Sequence, residues 1–419
     1  QVPTKPNNGG GCMTTVVCGA TLREAGATPG QARGRLWSEK EATPCPSFLP
    51  PSFLFSIIVM LNTILMKTVV MRADAFEGIG TGHLMRCMAL GQTLSEAGVR
   101  VVFVSRCDPR GIIERIEGEG FGFVPLDAGS QDVGLQRRLI TSQWADWIVA
   151  DGVHFDEAYH EFLRSCGCRL AVIDDMARLS RYDADIVLNQ NLHAHDLHYK
   201  CPRQTRLLLG AKYVLLRREF LRSCPRPPGA SWSEKEPGAT WSGKEKVVPD
   251  VGKNLLITLG GIDKGNFTQK ILLAVKDTPG LDIIAIVGAG NPHVERLRSV
   301  KMASRLTVIQ NATDMPSLMS WADAAITSGG TTVWELAFMG VPSIVGRVAT
   351  IEDYLVGGLN KHGLFVDAGW FDSVEQGAIC TILTGLMSDA NRRQEMSIKA
   401  QRTVTGEGCM EVFREMNRI

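Results

Sequence analysis

Thr68-Val-Val-Met-Arg-Ala-Asp-Ala-Phe-Glu-Gly-Ile-Gly-Thr-Gly-His83 opens as a β-branched apolar run, breaks into glycines and passes into a helical stretch, His83–Ala97. A short apolar strand, a glycine loop and a helix, in that order, form the opening unit of a parallel α/β sheet. Gly78, Gly80 and Gly82 let the backbone approach an anion closely, and the helix start adds unpaired amides with a positive potential. That potential disfavours a cation, which suits His83 to accept a proton. A plainer reading of the same residues stays open. In it the glycines simply turn the chain, with His83 capping the helix and Arg72 paired to Asp74 as a brace. The glycine spacing departs from the dinucleotide fingerprint and does not choose between the two.

Outward from this unit the pattern repeats. Val99-Arg-Val-Val-Phe-Val104, Asp146-Trp-Ile-Val-Ala150, Leu170-Ala-Val-Ile173 and Asp185-Ile-Val-Leu188 read as further short strands separated by helical stretches. A Pro-, Gly- and Ser-rich stretch over 223–250 interrupts them, after which the alternation restarts with Asn254-Leu-Leu-Ile-Thr258, a helix over Thr268–Val275, Ile283–Val287, Leu306–Ile309 and Ala324–Thr327. Two such sets joined by one linker predict two doubly wound parallel-sheet α/β domains facing a cleft. The expected boundaries are an extension over 1–65, a first domain over 66–222, an inserted linker over 223–252 and a second domain over 253–419. Ligands of such sheets sit beyond the carboxyl ends of the strands, so the loops there are the candidate site.

Two loops of the second half fit that position. Thr258-Leu-Gly-Gly-Ile-Asp-Lys-Gly-Asn266 places Gly260 and Gly261 directly after a strand. In Ala325-Ile-Thr-Ser-Gly-Gly-Thr-Thr-Val-Trp-Glu335 a strand ends, Ser328, Gly329, Gly330 and Thr331 turn, and a helix starts near Val333. Amides and hydroxyls at a helix start suit a diphosphate, and Glu335 in the first turn is placed to accept from ribose hydroxyls. Thr332 with Glu335 three residues on is equally a capping box. Asp174 and Asp175, at the end of a first-half strand, either touch substrate or cap the next turn.

Composition bounds the rest. Of 419 residues 44% are hydrophobic and 21% charged, with a formal net charge of +1, so nothing global points to nucleic acid or an anionic membrane. The 11 cysteines have no repeating spacing, and the closest pair, Cys166 and Cys168, lacks a zinc-site partner pair. No metal and no cofactor are expected, and reduced thiols fit a cytoplasmic protein. The apolar run Phe53–Leu65 is shorter than the about 20 residues that span a bilayer. It also lies too far from the amino end for an ordinary signal peptide, so the segment up to Leu65 reads as an appendage. Leu36-Trp-Ser-Glu-Lys-Glu-Ala-Thr-Pro44 returns as Ser231-Trp-Ser-Glu-Lys-Glu-Pro237 and loosely as Thr240-Trp-Ser-Gly-Lys-Glu245. These copies are too short and polar to stack as structural repeats and mark linker-like sequence.

Taken together, Met71-Arg-Ala-Asp74, Gly78-Ile-Gly-Thr-Gly-His-Leu-Met-Arg-Cys87, Val172-Ile-Asp-Asp175, Ile186-Val-Leu-Asn-Gln-Asn191 and Leu208-Leu-Gly-Ala-Lys-Tyr-Val-Leu-Leu-Arg-Arg-Glu-Phe220 resemble a known family. It is the UDP-2,4-diacetamido-2,4,6-trideoxy-β-L-altropyranose hydrolases of pseudaminic acid biosynthesis. Leu259-Gly-Gly-Ile-Asp263 and Ser328-Gly-Gly-Thr-Thr-Val-Trp-Glu-Leu336 are similar to these and to the peptidoglycan UDP-N-acetylglucosamine transferase. The resemblance runs from about Met66 to the carboxyl end, apart from the insertion. It implies a GT-B fold, with UDP on the second domain and the sugar facing the first. It also implies inverting attack of water at the anomeric carbon without a required metal, with His83 as base. Arg72, Asp74, Gly80, Gly82, Arg86, Asp174, Asp175, Gly260, Gly261, Ser328, Gly329, Gly330, Thr331 and Glu335 would then contact a UDP-sugar. The chain departs from the family at Val153-His154, at Glu352-Asp353 and at Thr405-Gly-Glu-Gly408. A UDP-sugar-dependent glycosyltransferase and a non-catalytic UDP-sugar-binding protein are the alternatives. Limited proteolysis is expected to cut first between Ser223 and Asp250; resistance there would contradict the linker assignment.

Overall fold

The computed structural model describes residues 66–76, 78–127, 133–223, 248–261, 263–288 and 291–419. The 1–65 extension, most of the 223–252 insertion with its repeated motif, Glu77 and Ile262 lie outside the described residues.

Thirteen described strands form two sheets, and every strand pair in them is parallel. The first contains β1 (Thr68–Ala73), β2 (Arg100–Ser105), β3 (Gly122–Pro125), β4 (Trp147–Asp151), β5 (Arg169–Ile173), β6 (Ile186–Asn189) and β7 (Arg206–Leu209), in the order β3-β2-β1-β4-β5-β6-β7. The second contains β8 (Asn254–Thr258), β9 (Asp282–Val287), β10 (Arg305–Gln310), β11 (Ala324–Ser328), β12 (Ser343–Arg347) and β13 (Phe365–Trp370), in the order β10-β9-β8-β11-β12-β13. This is the doubly wound pair of sheets that the alternating pattern predicts. All six residues of β1 and all five of β4 are buried, because apolar layers cover both faces of the sheet. Such strands read as unbroken apolar runs and are visible in the sequence. The edge strand β3 is partly exposed along its whole length, and β13 carries Asp367 and Gly369; neither stands out as a run.

Each sheet reverses its order once. The reversal falls between β1 and β4 in the first sheet and between β8 and β11 in the second. A crevice opens where neighbouring connections leave on opposite faces, and the loops flanking it are free to converge on a ligand. Three of the glycine-bearing loops of the sequence, after β1, β8 and β11, therefore flank the two crevices.

The last helix, Gly408–Arg418, leaves the second sheet and packs on the first. Cys409, Val412, Phe413 and Met416 join the apolar cluster built on β1, β2 and the Gly82–Glu96 helix. The crossing is tight at Gly408, where a Cβ would stand 2.1 Å from the Val214 carbonyl oxygen. Among the described residues no helix is long and apolar enough to cross a membrane. Gly408→Ala is expected to lower stability by about 1–3 kcal/mol, since neither backbone can give way cheaply. A thermal melt within a degree of the parent would contradict this contact.

Candidate functional site

The loop after β1 depends on its glycines. Gly78 and Gly80 adopt φ of +101° and +79°, which side chains with a Cβ rarely accept. The turn they make delivers the chain into the Gly82–Glu96 helix with His83 in its first turn. β1 pairs with β4 so that Ala73 lies beside Asp151, and β4 pairs with β5 so that Asp151 lies beside Ile173. The carboxyl ends of three adjacent strands thus bring Asp74, Asp151, Asp174 and Asp175 to one edge.

Asp151 is the centre of this edge. Its side chain has no exposed surface. His83 Nδ1 lies 2.7 Å from Oδ1, while Arg86 Nε approaches Oδ2 at 2.5 Å and a terminal nitrogen of Arg86 donates to Oδ1 at 2.7 Å. Burial opposes ionisation of Asp151 most strongly, yet the charges and hydrogen bonds of Arg86 and His83 outweigh it and hold the carboxyl down at about 2. An ionised carboxylate only accepts, so the shared hydrogen sits on His83 Nδ1, and Nε2 is left outside this bond. Arg86 is also buried. Its guanidinium reaches past Asp151 to Asp175, at 3.0 Å to Oδ1 and 2.9 Å to Oδ2.

A second histidine–aspartate pair stands alongside. His154 Nε2 is 2.8 Å from Asp74 Oδ2. Its ring folds back over Gly152, where a Cβ would come within 2.8 Å of it. Arg72 forms a buried ion pair with Asp74, donates to the Tyr159 hydroxyl at 2.6 Å and lies over the Phe155 ring. Burial pushes the Asp74 carboxyl up, but His154, Arg72 and the Arg106 amide together bring it down to about 2. In this arrangement Arg72 and Asp74 brace the loop. Asp174 Oδ1 accepts from the Met176 and Ala177 amides at 2.9 and 2.6 Å, which is a turn cap.

The second sheet supplies the facing wall. Gly260 has φ of +81°, and a Cβ on Gly261 would lie 3.1 Å from Thr81 Oγ1. A Cβ on Gly82 would lie 3.6 Å from Thr331 Oγ1. The His83 loop therefore lies within a side chain's reach of both glycine loops of the second sheet. Ser328 is buried at the end of β11, and Thr331 stands at the N-cap of the Thr332–Phe338 helix with no side-chain capping bond. Gly329 is confined, because a Cβ there would meet Glu352 Cβ at 2.9 Å; Gly330 is open. Glu335 does not form the capping box with Thr332; its Oε1 accepts from Arg217 at 2.8 and 3.0 Å.

Three participants are not assigned from the sequence. Asp151 falls just after the apolar run that marks its strand in the sequence, and the strand itself runs to Asp151. Arg217 reaches Glu335 across 118 positions, which no local pattern signals. Glu352 is buried against the Ser328–Gly329 turn and accepts from the Val348 amide at 2.6 Å. Burial pushes its carboxyl up against the pull of the Val348, Ala349 and Gly329 amides and of Ser328. Between the sheets lies a cavity of about 600 Å³ lined by Val153, Met176, Arg178, Thr350, Ile351 and Asp353. Among the described residues no three His, Cys, Asp or Glu side chains converge as a metal-ligand set.

Residues 259–346, from the first C-terminal glycine loop through the second to β12, match the model of the glycosyltransferase family 28 C-terminal domain. MurG of Acinetobacter baumannii superposes with a TM-score of 0.54 at 16% identity, over 84% of this chain and 100% of that one. The fold is GT-B. UGT89C1 of Arabidopsis thaliana, solved with UDP, gives 0.53 at 11% identity over 84% and 99% of the two chains. The rhamnosyltransferase SpnG, solved with thymidine diphosphate, gives 0.51 at 14% over 81% and 96%. Among curated proteins, the chain is 26% identical over 316 residues to the uncharacterized protein MJ1062 of Methanocaldococcus jannaschii, covering 70% of this chain and 61% of that one. It is 26% identical over 164 residues to the spore coat polysaccharide biosynthesis protein SpsG of Bacillus subtilis, covering 38% and 48%. The matches thus span about three fifths and about half of the length of these two relatives.

The two depressed carboxyls give a sign to acid stability. Asp74 and Asp151 each fall from 3.8 to about 2 in the fold, so the stability they contribute is present above about pH 4 and is lost as pH falls towards 2. Asp151→Asn is expected to flatten that part of the stability–pH curve; an unchanged slope in denaturant titrations between pH 4 and 2 would contradict it.

Proposed function

We propose that this chain is an enzyme that acts on a nucleoside-diphosphate sugar, displacing the nucleotide by a nucleophile that His83 deprotonates. The observation that carries the reading is the close approach of the two crevices: His83, oriented by Asp151 at the switch point of one sheet, sits on a loop within a side chain's reach of the Gly261 and Thr331 loops flanking the other. His83 Nε2 takes the proton of an O–H nucleophile as its oxygen bonds to the anomeric carbon. The bond from that carbon to the phosphate oxygen breaks, and its electron pair leaves with the diphosphate. Attack opposite the leaving group inverts the anomeric configuration. Amides around Ser328–Thr331 and the glycines at 260 and 261 meet the charge on the departing phosphate. Glu335, steadied by Arg217, is assigned to the ribose, and the cavity beside Val153 and Asp353 to the sugar.

Two nucleophiles are distinguished by different observations. The motif set of the first half supports water, which would make the chain a UDP-diacetamido-trideoxy-altrose hydrolase. The family 28 match and the glycosyltransferase neighbours support transfer to an acceptor hydroxyl better. Incubating purified protein with UDP-2,4-diacetamido-2,4,6-trideoxy-β-L-altropyranose and no acceptor, and following free UDP, separates them. Acceptor-independent release that falls about 100- to 10,000-fold in His83→Ala supports the hydrolase. UDP binding without release, with turnover restored by an acceptor, supports the transferase. UDP release undiminished in His83→Ala would overturn the role of the histidine under either.

A further inference from the structure

Asp151 orients His83, but nothing in a single carboxylate fixes which oxygen faces the imidazole or in which plane. A buried carboxylate turns towards whatever donors surround it. Here, besides His83 itself and the Cys87 thiol at 3.9 Å from Oδ2, the donors come from one guanidinium. Arg86 lies one helical turn beyond His83 and is 5% exposed. Its Nε and one terminal nitrogen bind both oxygens of Asp151, a fork that allows one orientation of the carboxylate plane. A fork can still pivot about its own axis unless its far side is held. Asp175 holds it. Both of its oxygens meet the remaining face of the guanidinium, at 3.0 and 2.9 Å, and Oδ1 is anchored in turn by Asn191 Nδ2 at 2.7 Å. Asn191 itself is fixed to Asn189 Oδ1 through both its backbone and side-chain nitrogens, each at 2.9 Å.

We propose that Arg86 and Asp175 are positioning residues for the His83–Asp151 pair, Asp175 clamping the guanidinium from behind so that Asp151 Oδ1 stays on His83 Nδ1–H. The inference rests on the reading of His83 as the base. Charge supports the same arrangement. Two carboxylates and one guanidinium leave the cluster one negative charge in excess, which the imidazole neutralises when it takes the nucleophile's proton. With Asp175 neutral, that step would instead leave a net positive charge in a buried site. Neither residue needs to touch substrate for this role, so the effect belongs in turnover rather than in binding.

The test combines a spectroscopic readout that needs no substrate with kinetics that do. In full-length protein carrying 15N-labelled histidine, His83, assigned by its loss in His83→Ala, is expected to show a single neutral tautomer with the proton on Nδ1. Arg86→Lys, which keeps the charge but not the fork, and Asp175→Asn are each expected to give a mixture of tautomers. Both should lower kcat about 10- to 100-fold, the scale of a small misplacement of a reacting group, with KM within about two-fold of the parent. Asn191→Ala, which loosens Asp175 without removing its charge, should move both readouts in the same direction by less. If Asp175→Asn does not fold, Asn191→Ala together with Arg86→Lys decides the matter. A single Nδ1–H tautomer in these variants, or a loss expressed in KM with kcat unchanged, would overturn the proposal. Tautomer mixing as expected, with UDP release indifferent to His83→Ala, would uphold the clamp and sink the catalytic reading instead.

Discussion

A carboxylate with no contact to solvent needs a cation, and the carboxyl edge of the first sheet is organised around meeting that need for Asp151. Arg86 supplies the charge, and His83 and the Cys87 thiol supply further donors. Breaking such a buried pair from one side leaves an uncompensated charge, which is costly in a dry interior. The strands β1, β4 and β5 must therefore stay in register, and the helix from Gly82 must begin where it does, for three residues far apart in sequence to converge. The same interaction that steadies the edge also leaves His83 with one nitrogen engaged and the other available.

The two sheets use one design with different chemistry. At the first switch point the loops carry acids, histidines and arginines in ion pairs. At the second the loops carry glycines and hydroxyls, where small side chains let backbone amides face a ligand. Gly329 and Gly261 sit where a Cβ would press on Glu352 or Thr81, so close approach, as much as turn geometry, accounts for the glycine at these positions. Under the function proposed above, a base on one wall and amides on the other would divide the work of cleaving a sugar–phosphate bond. The cavity between them is lined by Val153, Met176 and Arg178 from one side and by Thr350, Ile351 and Asp353 from the other.

Periodicity and glycine punctuation alone determined the fold class, the central strands and the three loops. Fully buried parallel strands are mostly apolar, and such runs survive in the sequence as a local signal even where β1 carries Arg72 and β4 ends in Asp151. Edge strands such as β3, and β13 with Asp367 and Gly369, lack that signal because one side of them is not buried. The candidate site divides in the same way. His83, Ser328–Thr331 and the glycines at 260 and 261 are legible because a glycine loop between strand and helix is a local pattern.

What those residues do to one another was decided only by tertiary structure. Sequence spacing left Arg72–Asp74, Asp174 and Thr332–Glu335 each with two readings, and in each the side chain's partner settled its geometry. Arg72 and Asp74 found each other, Asp174 found the next two amides, and Glu335 found Arg217 in place of a cap. Asp151 became the partner of His83 only because β4 pairs with β1, a neighbour relation made across nearly 80 residues of chain. Hydrogen bonds and ion pairs act over a few ångströms of space. A pattern read along the chain identifies the groups that can make them, and strand order decides which ones meet.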